Sequence, residues 1–376
     1  MTQQVGHGAR RLKIAQIAPL IESVPPRYYG GTERVVSYLT EALVAQGHDV
    51  TLFASGDSIT AGKLVACAPR ALRLNDADSD PITHYMIMLD RVRAMAQRFD
   101  VLHFHIDQFH FPIFHSLAGR TVTTLHGRQD LPDLASLYTA FPDLPLVSIS
   151  DAQRKPIPNA NFAATIHHGL SIDLHAPSFE PRGGYLAFLG RISPEKGVAR
   201  AIEIATTAGI PIKIAAKVDR VDADYYNSVV KPLLSHPGVE FIGEINEQQK
   251  TRFLGDARAL LFPIDWPEPF GLVMIEAMAC GTPVLAFDHG SVTEIIDEGI
   301  SGAVINSHEE APAALRRVLA LDRRAVRRCF EQRFTSERMA ADYVAVYHKL
   351  LAARPAATSD LSLPSTLAAQ SESVLG

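Results

Sequence analysis

Residues 13–54, KIAQIAPLIESVPPRYYGGTERVVSYLTEALVAQGHDVTLFA, read as strand, loop, helix, strand. Lys13–Pro19 is a short apolar run that closes on a proline, and the Pro-rich segment after it holds the chain in a loop. Thr32 is the expected N-cap, Val35, Val36, Leu39 and Leu43 recur at helical spacing, and Gly47 is the stop. Val50–Ala54 is then a second strand. Strands alternating with an amphipathic helix make a parallel βαβ unit, so the chain begins as an α/β protein.

The same alternation continues outward. Further strands are expected at Val101–Phe104, Thr121–Leu125, Leu146–Ile149 and Ala164–His167. Asp173–Arg182 (DLHAPSFEPR) is polar, carries two prolines and reads as a linker. A second series follows, with strands expected at Tyr185–Leu189, Ile212–Ala216, Val239–Ile242, Ala259–Phe262, Val284–Ala286 and Ala303–Ile305. Helices are expected at Val198–Ala208 and Asp224–Leu234, and a last one from Ser336 to Ala353. Arg354–Gly376, rich in Ser, Ala and Pro with few large apolar residues, is expected to be a disordered tail. The divisions are therefore 12–173, 174–335, a helix at 336–353 and the tail 354–376.

A length of 376 residues suits two such domains. With 47% hydrophobic and 20% charged residues the chain is neither disordered in bulk nor collagen-like. The net charge of −5 is shared by both halves, which argues against a nucleic acid or an anionic membrane as partner. Cys67, Cys280 and Cys329 lie far apart, without metal-ligand spacing or the even number of a disulfide framework. The first 13 residues lack the apolar core of a signal peptide, and no apolar run nears the ~20 residues that span a bilayer. A cytoplasmic enzyme or binder, touching membranes peripherally at most, is the expectation.

The densest chemical signal lies in the second half. Gly190-Arg191-Ile192-Ser193-Pro194-Glu195-Lys196-Gly197 follows an expected strand and precedes an expected helix. A guanidinium fork, an ammonium and helix-start amides together suit a polyphosphate; the competing reading is a surface turn with solvated charges. Downstream, Glu268 precedes a helix start and Glu276 lies about two turns inside it. Eight residues of continuous helix would part these carboxylates by roughly 12 Å. That is too far for a pair at one glycosidic bond, but it suits two hydroxyl-bearing parts of one long ligand. Gly271 lets a ligand approach the unsatisfied amides of the helix start. Glu276, flanked by Ile275, Ala277 and Met278, needs partners: an arginine, or sugar or ribose hydroxyls.

These segments, GRISPEKG, EPFGLVMIEAMACGTPVLAF and HGSVTEII, resemble the retaining nucleotide-sugar glycosyltransferases of family 4, which have the GT-B fold of two Rossmann-like domains facing each other across a cleft. Glu268 and Glu276 match that family's E-x7-E signature, and residues 25–58 look like its first domain. The resemblance covers roughly residues 12–352, with its closest echo in the avilamycin-type subgroup. It implies an N-terminal acceptor domain, a C-terminal nucleotide-sugar donor domain, and a final helix crossing back to the first. It further implies that Arg191 and Lys196 contact the donor diphosphate and stabilise the leaving group, that Glu276 holds the ribose, and that Glu268 holds the transferred sugar. Backbone amides of Phe270, Gly271 and Leu272 would add contacts, and Gly30 and Gly31 would face the diphosphate from the other domain. His126 matches a family histidine near the reacting sugar; a structural histidine at a strand end is the competing reading.

The chain departs from the family in two places. Lys217 and Asp219 stand where a Gly-Asp-Gly type turn is common, and His168 to Asp173 replaces an Asn-Gly-hydrophobic-Asp segment, which leaves Asp173 without an assigned role. His103, His105 and His110 with Asp107 form a cluster that could bind a metal, although period-two alternation places His103 and His105 on one strand face, expected to line the acceptor side. The expected activity is metal-independent, retaining transfer of a hexosyl unit from a UDP- or GDP-linked sugar to a sugar, polyol or lipid-linked acceptor. No resident cofactor is expected, and no carboxylate nucleophile is visible on the acceptor side. The rivals are a GT-B sugar-nucleotide epimerase and a non-catalytic nucleotide-sugar binding module. A dehydrogenase is disfavoured because the first strand leads to Gly30-Gly31 with no G-x-G-x-x-G.

Overall fold

The structure, a computed structural model, describes residues 10–27, 30–74 and 80–353. The expected disordered tail, 354–376, lies outside the described residues. Seven parallel strands form the first sheet: β1 (Lys13–Ile17), β2 (Asp49–Ser55), β3 (Lys63–Ala68), β4 (Val101–Phe104), β5 (Thr121–Thr124), β6 (Leu146–Ser148) and β7 (Phe162–Thr165). Their order is β3-β2-β1-β4-β5-β6-β7. Six more form a second parallel sheet: β8 (Leu186–Arg191), β9 (Ile212–Lys217), β10 (Val239–Gly243), β11 (Ala259–Phe262), β12 (Val284–Phe287) and β13 (Gly302–Ile305). Their order is β10-β9-β8-β11-β12-β13. The chain thus has the two Rossmann-like α/β domains expected of a GT-B protein.

Each sheet reverses its strand order once, between β1 and β4 and between β8 and β11. At such a switch point the connecting helices leave to opposite faces and open a crevice beyond the carboxyl ends of the strands. In the second sheet β8 pairs with β11 only through Leu186 and Ala187, so the two strands part before Arg191. The connections leaving β1, β8 and β11 carry Gly30-Gly31 at the helix start, Arg191–Lys196 from the last residue of β8 onward, and Glu268–Gly271. Fold topology therefore delivers all three motifs to crevices.

Four local readings need correction. The helix after β1 spans Gly31–Ala45 with Gly30 at the N-cap, so Thr32 is not the cap. The Glu33 carboxylate takes over that task, accepting hydrogen bonds from the backbone of Glu33 and Glu22. Strand β3 carries no strand signal in the sequence, because its half-exposed edge position removes the apolar run that marks a buried strand. The helix expected at Asp224–Leu234 is broken into Ala223–Tyr225, a wider π stretch Tyr226–Val230 and Lys231–Leu233; Pro232 has no N–H to donate back. Strand β7 starts two residues before the expected Ala164.

The final helix, Ser336–Ala352, leaves the second domain and packs on the first. Its Met339, Ala340, Tyr343, Val346 and Tyr347 share a buried cluster with Ile14, Leu39, Val101, Val122 and Val147. It is anchored at its start by the Thr335 side chain, which accepts from Arg338 N, and Leu170 N donates to Phe334 O at 2.9 Å. No helix among the described residues is long and apolar enough to cross a membrane.

Candidate active site

A cavity of about 470 Å³ lies between the two switch points. Its lining includes the ten residues assigned to the donor site and the chemistry from sequence: Gly30, Gly31, His126, Arg191, Lys196, Glu268, Phe270, Gly271, Leu272 and Glu276. The two domains meet closely here. A Cβ on Gly31 would lie 3.6 Å from Leu272 Cδ1, so the helix starts at Gly31 and Leu272 face each other. Gly30 has no room for a side chain at all: a Cβ would stand 2.8 Å from that of Pro26.

The cations are held before any ligand arrives. Arg191, at the end of β8, donates through Nη2 to Glu195 Oε1 at 2.6 Å and has Asp222 at 3.4 Å from Nε. Lys196 closes the turn Pro194–Lys196 and its ammonium pairs with Glu268, while lying 4.8 Å above the Trp266 ring. Trp266 Nε1–H donates to the same Glu268 carboxylate at 3.1 Å. The cation expected at the diphosphate and the carboxylate expected to hold the sugar are thus one linked unit.

Glu268 stays in place because the HGSVTEII segment grips its backbone. Gly290 has φ +63, and a Cβ there would lie 2.3 Å from Glu268 O and 2.4 Å from Glu268 N. Ser291 N–H donates to Glu268 O at 3.0 Å, and Ser291 Oγ donates to Phe270 O at 3.0 Å. Glu294 reaches the other domain, where its carboxylate accepts from Asp151 N and Ala152 N at 2.7 Å each. This motif acts by shaping the loop and joining the domains.

Glu276 is 4% exposed and sits little more than one turn into the helix Leu272–Ala279, so the continuous-helix distance from Glu268 does not apply. Its partner is Lys250, whose ammonium donates to Oε1 at 2.6 Å. Burial alone would raise its pKa; the charges of Lys250, His175 and Arg34 outweigh that and hold the carboxyl below its ordinary range. Lys250 also lies 3.5 Å from Glu247, which in turn pairs with Arg34 from the first domain. His175, Glu247 and Glu276 are near enough to share a metal ion, but the Lys250 ammonium already supplies a cation between the two carboxylates.

On the wall formed by the first domain the structure corrects the sequence reading. Glu22 and Glu33 both line the cavity, and burial raises both carboxyl pKa values. Glu22 is paired with Arg73 at 2.6 Å, and Glu33 with the backbone amides of Glu33 and Glu22. Sequence missed them because a glutamate in a loop and one in a first helical turn look like ordinary surface charge. The histidine cluster is corrected too. His103 and His105 do share a face, with ring centroids 4.0 Å apart, yet they are buried because the final helix covers that face. His110 accepts or donates to Thr123 Oγ1 at 2.9 Å and is stacked on Phe104, so these rings are spread through the core rather than gathered round one point with Asp107. Of the departures from the family pattern, Lys217 lines the cavity and pairs with Asp219 at 2.7 Å, while Asp173 is exposed and not among the lining residues.

Comparison with known proteins follows the same division. Residues 29–169 match the family described as Glycosyltransferase Family 4, and residues 175–332 match Glycosyl transferases group 1. Over 334 residues the chain is 26% identical to a phosphatidyl-myo-inositol mannosyltransferase of Mycobacterium leprae (strain TN), covering 81% of this chain and 86% of that enzyme. It is 30% identical to an alpha-maltose-1-phosphate synthase of Mycolicibacterium smegmatis over 142 residues, 36% of this chain and 35% of that relative's length. The crystal structure of AviGT4, a glycosyltransferase involved in avilamycin A biosynthesis, superposes with a TM-score of 0.72 at 24% identity, covering 91% of this chain and 99% of that one. With both of its domains matched by glycosyltransferase models, over two parallel α/β sheets that meet at their switch points, this chain is a glycosyltransferase enzyme of GT-B type.

Proposed function

We propose that the enzyme transfers a hexosyl unit, with retention of anomeric configuration and without a metal or resident cofactor, from a UDP- or GDP-linked sugar to a hydroxyl of a sugar, polyol or lipid-linked acceptor. Residues 12–173 would hold the acceptor and 174–335 the donor. The observation that carries this reading is the placement of Arg191 and Lys196 opposite the Gly30-Gly31 helix start in one cavity. Two cations and a helix N-terminus together neutralise a diphosphate, which removes the need for Mg²⁺. A relative named for mannosyl transfer to phosphatidyl-myo-inositol supports a hexosyl donor and a lipid-linked acceptor.

Catalysis on this reading is front-side attack assisted by the leaving phosphate. Arg191 and Lys196 stabilise the charge that the departing diphosphate gains, and Glu268 orients the sugar. Glu22 and Glu33 are already engaged by Arg73 and by backbone amides, so neither serves as nucleophile. The test is a thermal-shift screen of UDP-, GDP- and ADP-sugars followed by transfer assays with EDTA. A donor at 100 times its Kd stabilises by about 2.7 kcal/mol. Turnover that stops with chelator and returns with Mg²⁺ or Mn²⁺ contradicts the proposal.

The two carboxylates divide the donor between them. Glu276→Ala is expected to weaken binding of the bare nucleotide by ~1–3 kcal/mol, through lost charge-assisted hydrogen bonds to the ribose. Glu268→Ala should leave the bare nucleotide nearly unaffected and impair the nucleotide sugar. Calorimetry with UDP and GDP decides; a greater loss for Glu268→Ala than for Glu276→Ala sinks the assignment.

A further inference from the structure

Within the cavity lining, the side chain of His126 is hydrogen-bonded into the core of the first sheet, and that tie has a direction. His105 Nε2 lies 2.6 Å from Gln16 Oε1, and His105 Nδ1 lies 2.9 Å from His126 Nε2. An amide oxygen only accepts, so His105 carries its proton on Nε2 and presents a bare Nδ1. His126 must then donate from Nε2, and as a neutral ring it keeps Nδ1 bare.

The amide orientation is supported from the other side. A contact as short as 2.6 Å points to oxygen and not nitrogen as the atom facing the ring, since an amide nitrogen would stand further from a ring nitrogen. Gln16 Nε2 is 3.4 Å from both His103 Nδ1 and the Tyr347 hydroxyl. Tyr347 then donates to His103 Nδ1 at 2.7 Å, and His103 Nε2 donates to Thr124 Oγ1 at 2.7 Å. Thr124 meets the Tyr343 hydroxyl at 2.8 Å. Gln16, His103 and His105 are 0%, 0% and 2% exposed, so water does not compete for these bonds. The His126 ring is also held face to face with His168, centroids 5.4 Å apart, which leans on Phe270 at 4.8 Å.

We propose that His105, held by Gln16, is a positioning residue that fixes His126 with its proton on Nε2, so that Nδ1 accepts a hydrogen bond from a hydroxyl of the transferred sugar. This rests on the transferase reading above. A nitrogen that only accepts turns phosphate oxygens away and selects an O–H, which keeps the sugar, not the diphosphate, at this end of the cavity. The final helix takes part by supplying Tyr343 and Tyr347, so the register of the relay depends on that helix being docked.

The test uses the full chain with ¹⁵N-labelled histidine rings. Long-range ¹H–¹⁵N spectra at neutral pH report which nitrogen of each ring is protonated, with no substrate present. Wild type is expected to show Nε2–H at both His105 and His126. Gln16→Glu keeps an acceptor in place and should preserve that pattern. Gln16→Leu removes it and should give mixed tautomers at both rings. Gln16→Leu should also lower kcat/KM for the sugar donor about tenfold, the value of one neutral hydrogen bond, with the bare nucleotide's Kd unchanged. A proton on Nδ1 of His126 in wild type overturns the proposal, and so do unchanged tautomers in folded Gln16→Leu, or shifted tautomers with unchanged kcat/KM. Should Gln16→Leu fail to fold, the wild-type spectrum alone decides. The spectra need no turnover: the expected tautomers without hexosyl transfer would sink the transferase reading and not the relay, and transfer with the wrong tautomer would do the reverse.

Discussion

Lys196→Ala is expected to lower kcat by about 10²–10³, with a smaller change in donor KM. The ammonium is fixed in advance by Glu268 and by the Trp266 ring beneath it, so it needs no rearrangement when the donor binds. Negative charge builds on the diphosphate as the glycosidic bond breaks, and a preorganised cation interacts more strongly with that state than with the ground state. The second cation cannot stand in for it. Arg191 is braced by Glu195 and Asp222 on the far side of the turn, and Arg191→Lys should also fail because an ammonium cannot reproduce the bidentate fork. In Lys196→Ala the Glu268 carboxylate keeps its bond from Trp266 Nε1, so the loop has a second anchor; circular dichroism and melting of the variant check that it is folded. Steady-state kinetics make the decision. An unchanged kcat with only a raised KM would mean that Lys196 binds donor uniformly and does not drive the chemistry.

The parts of this site that sequence could show are those whose chemistry lies within one loop. Arg191 and Lys196 share a turn after a strand, and Glu268 to Leu272 share another; strand-loop-helix alternation predicts that both loops end at the same edge of one sheet. Partners joined only by folding were invisible. Lys250 lies 26 residues before the Glu276 it neutralises, and Arg34 lies 213 residues before its Glu247. No local pattern marks such pairs, because a lysine on an amphipathic helix is read as solvent-facing. The HFHIDQFHF segment shows the opposite failure. Its alternation was legible and placed His103 and His105 on one face, but which face the final helix covers is a tertiary fact. A strand of histidines aimed at water and one aimed at two tyrosines have the same sequence. The HGSVTEII segment offers resemblance alone in sequence, because its role depends on the approach of Gly290 to the backbone of Glu268, which only folding creates.

Those buried rings make the fold sensitive to acid. His103, His105, His110 and His168 are at most 3% exposed, and burial pushes each pKa down from the ordinary 6.5, to about 3 for His110. The folded chain keeps them neutral while the unfolded chain binds protons as pH falls below 6.5, so the contribution to stability is intact above that value and is lost progressively beneath it. At pH 5 the His110 ring, held at about 3, costs about 2 kcal/mol, and the other three rings act in the same direction. A domain is stabilised by only about 5–15 kcal/mol, so the first domain is expected to lose a substantial part of its stability as pH falls below 6.5. Urea titrations at pH 7.5, 6 and 5 should show midpoints that fall steeply over this range. They are best followed by far-UV circular dichroism, since the single tryptophan, Trp266, reports on the second domain. His110→Gln should flatten the dependence by about one proton, because a glutamine in that place has nothing to titrate. A urea midpoint that stays level from pH 7.5 to 5 would mean that the rings are hydrated or charged in the folded chain, and the neutral relay leading to His126 would fall with it.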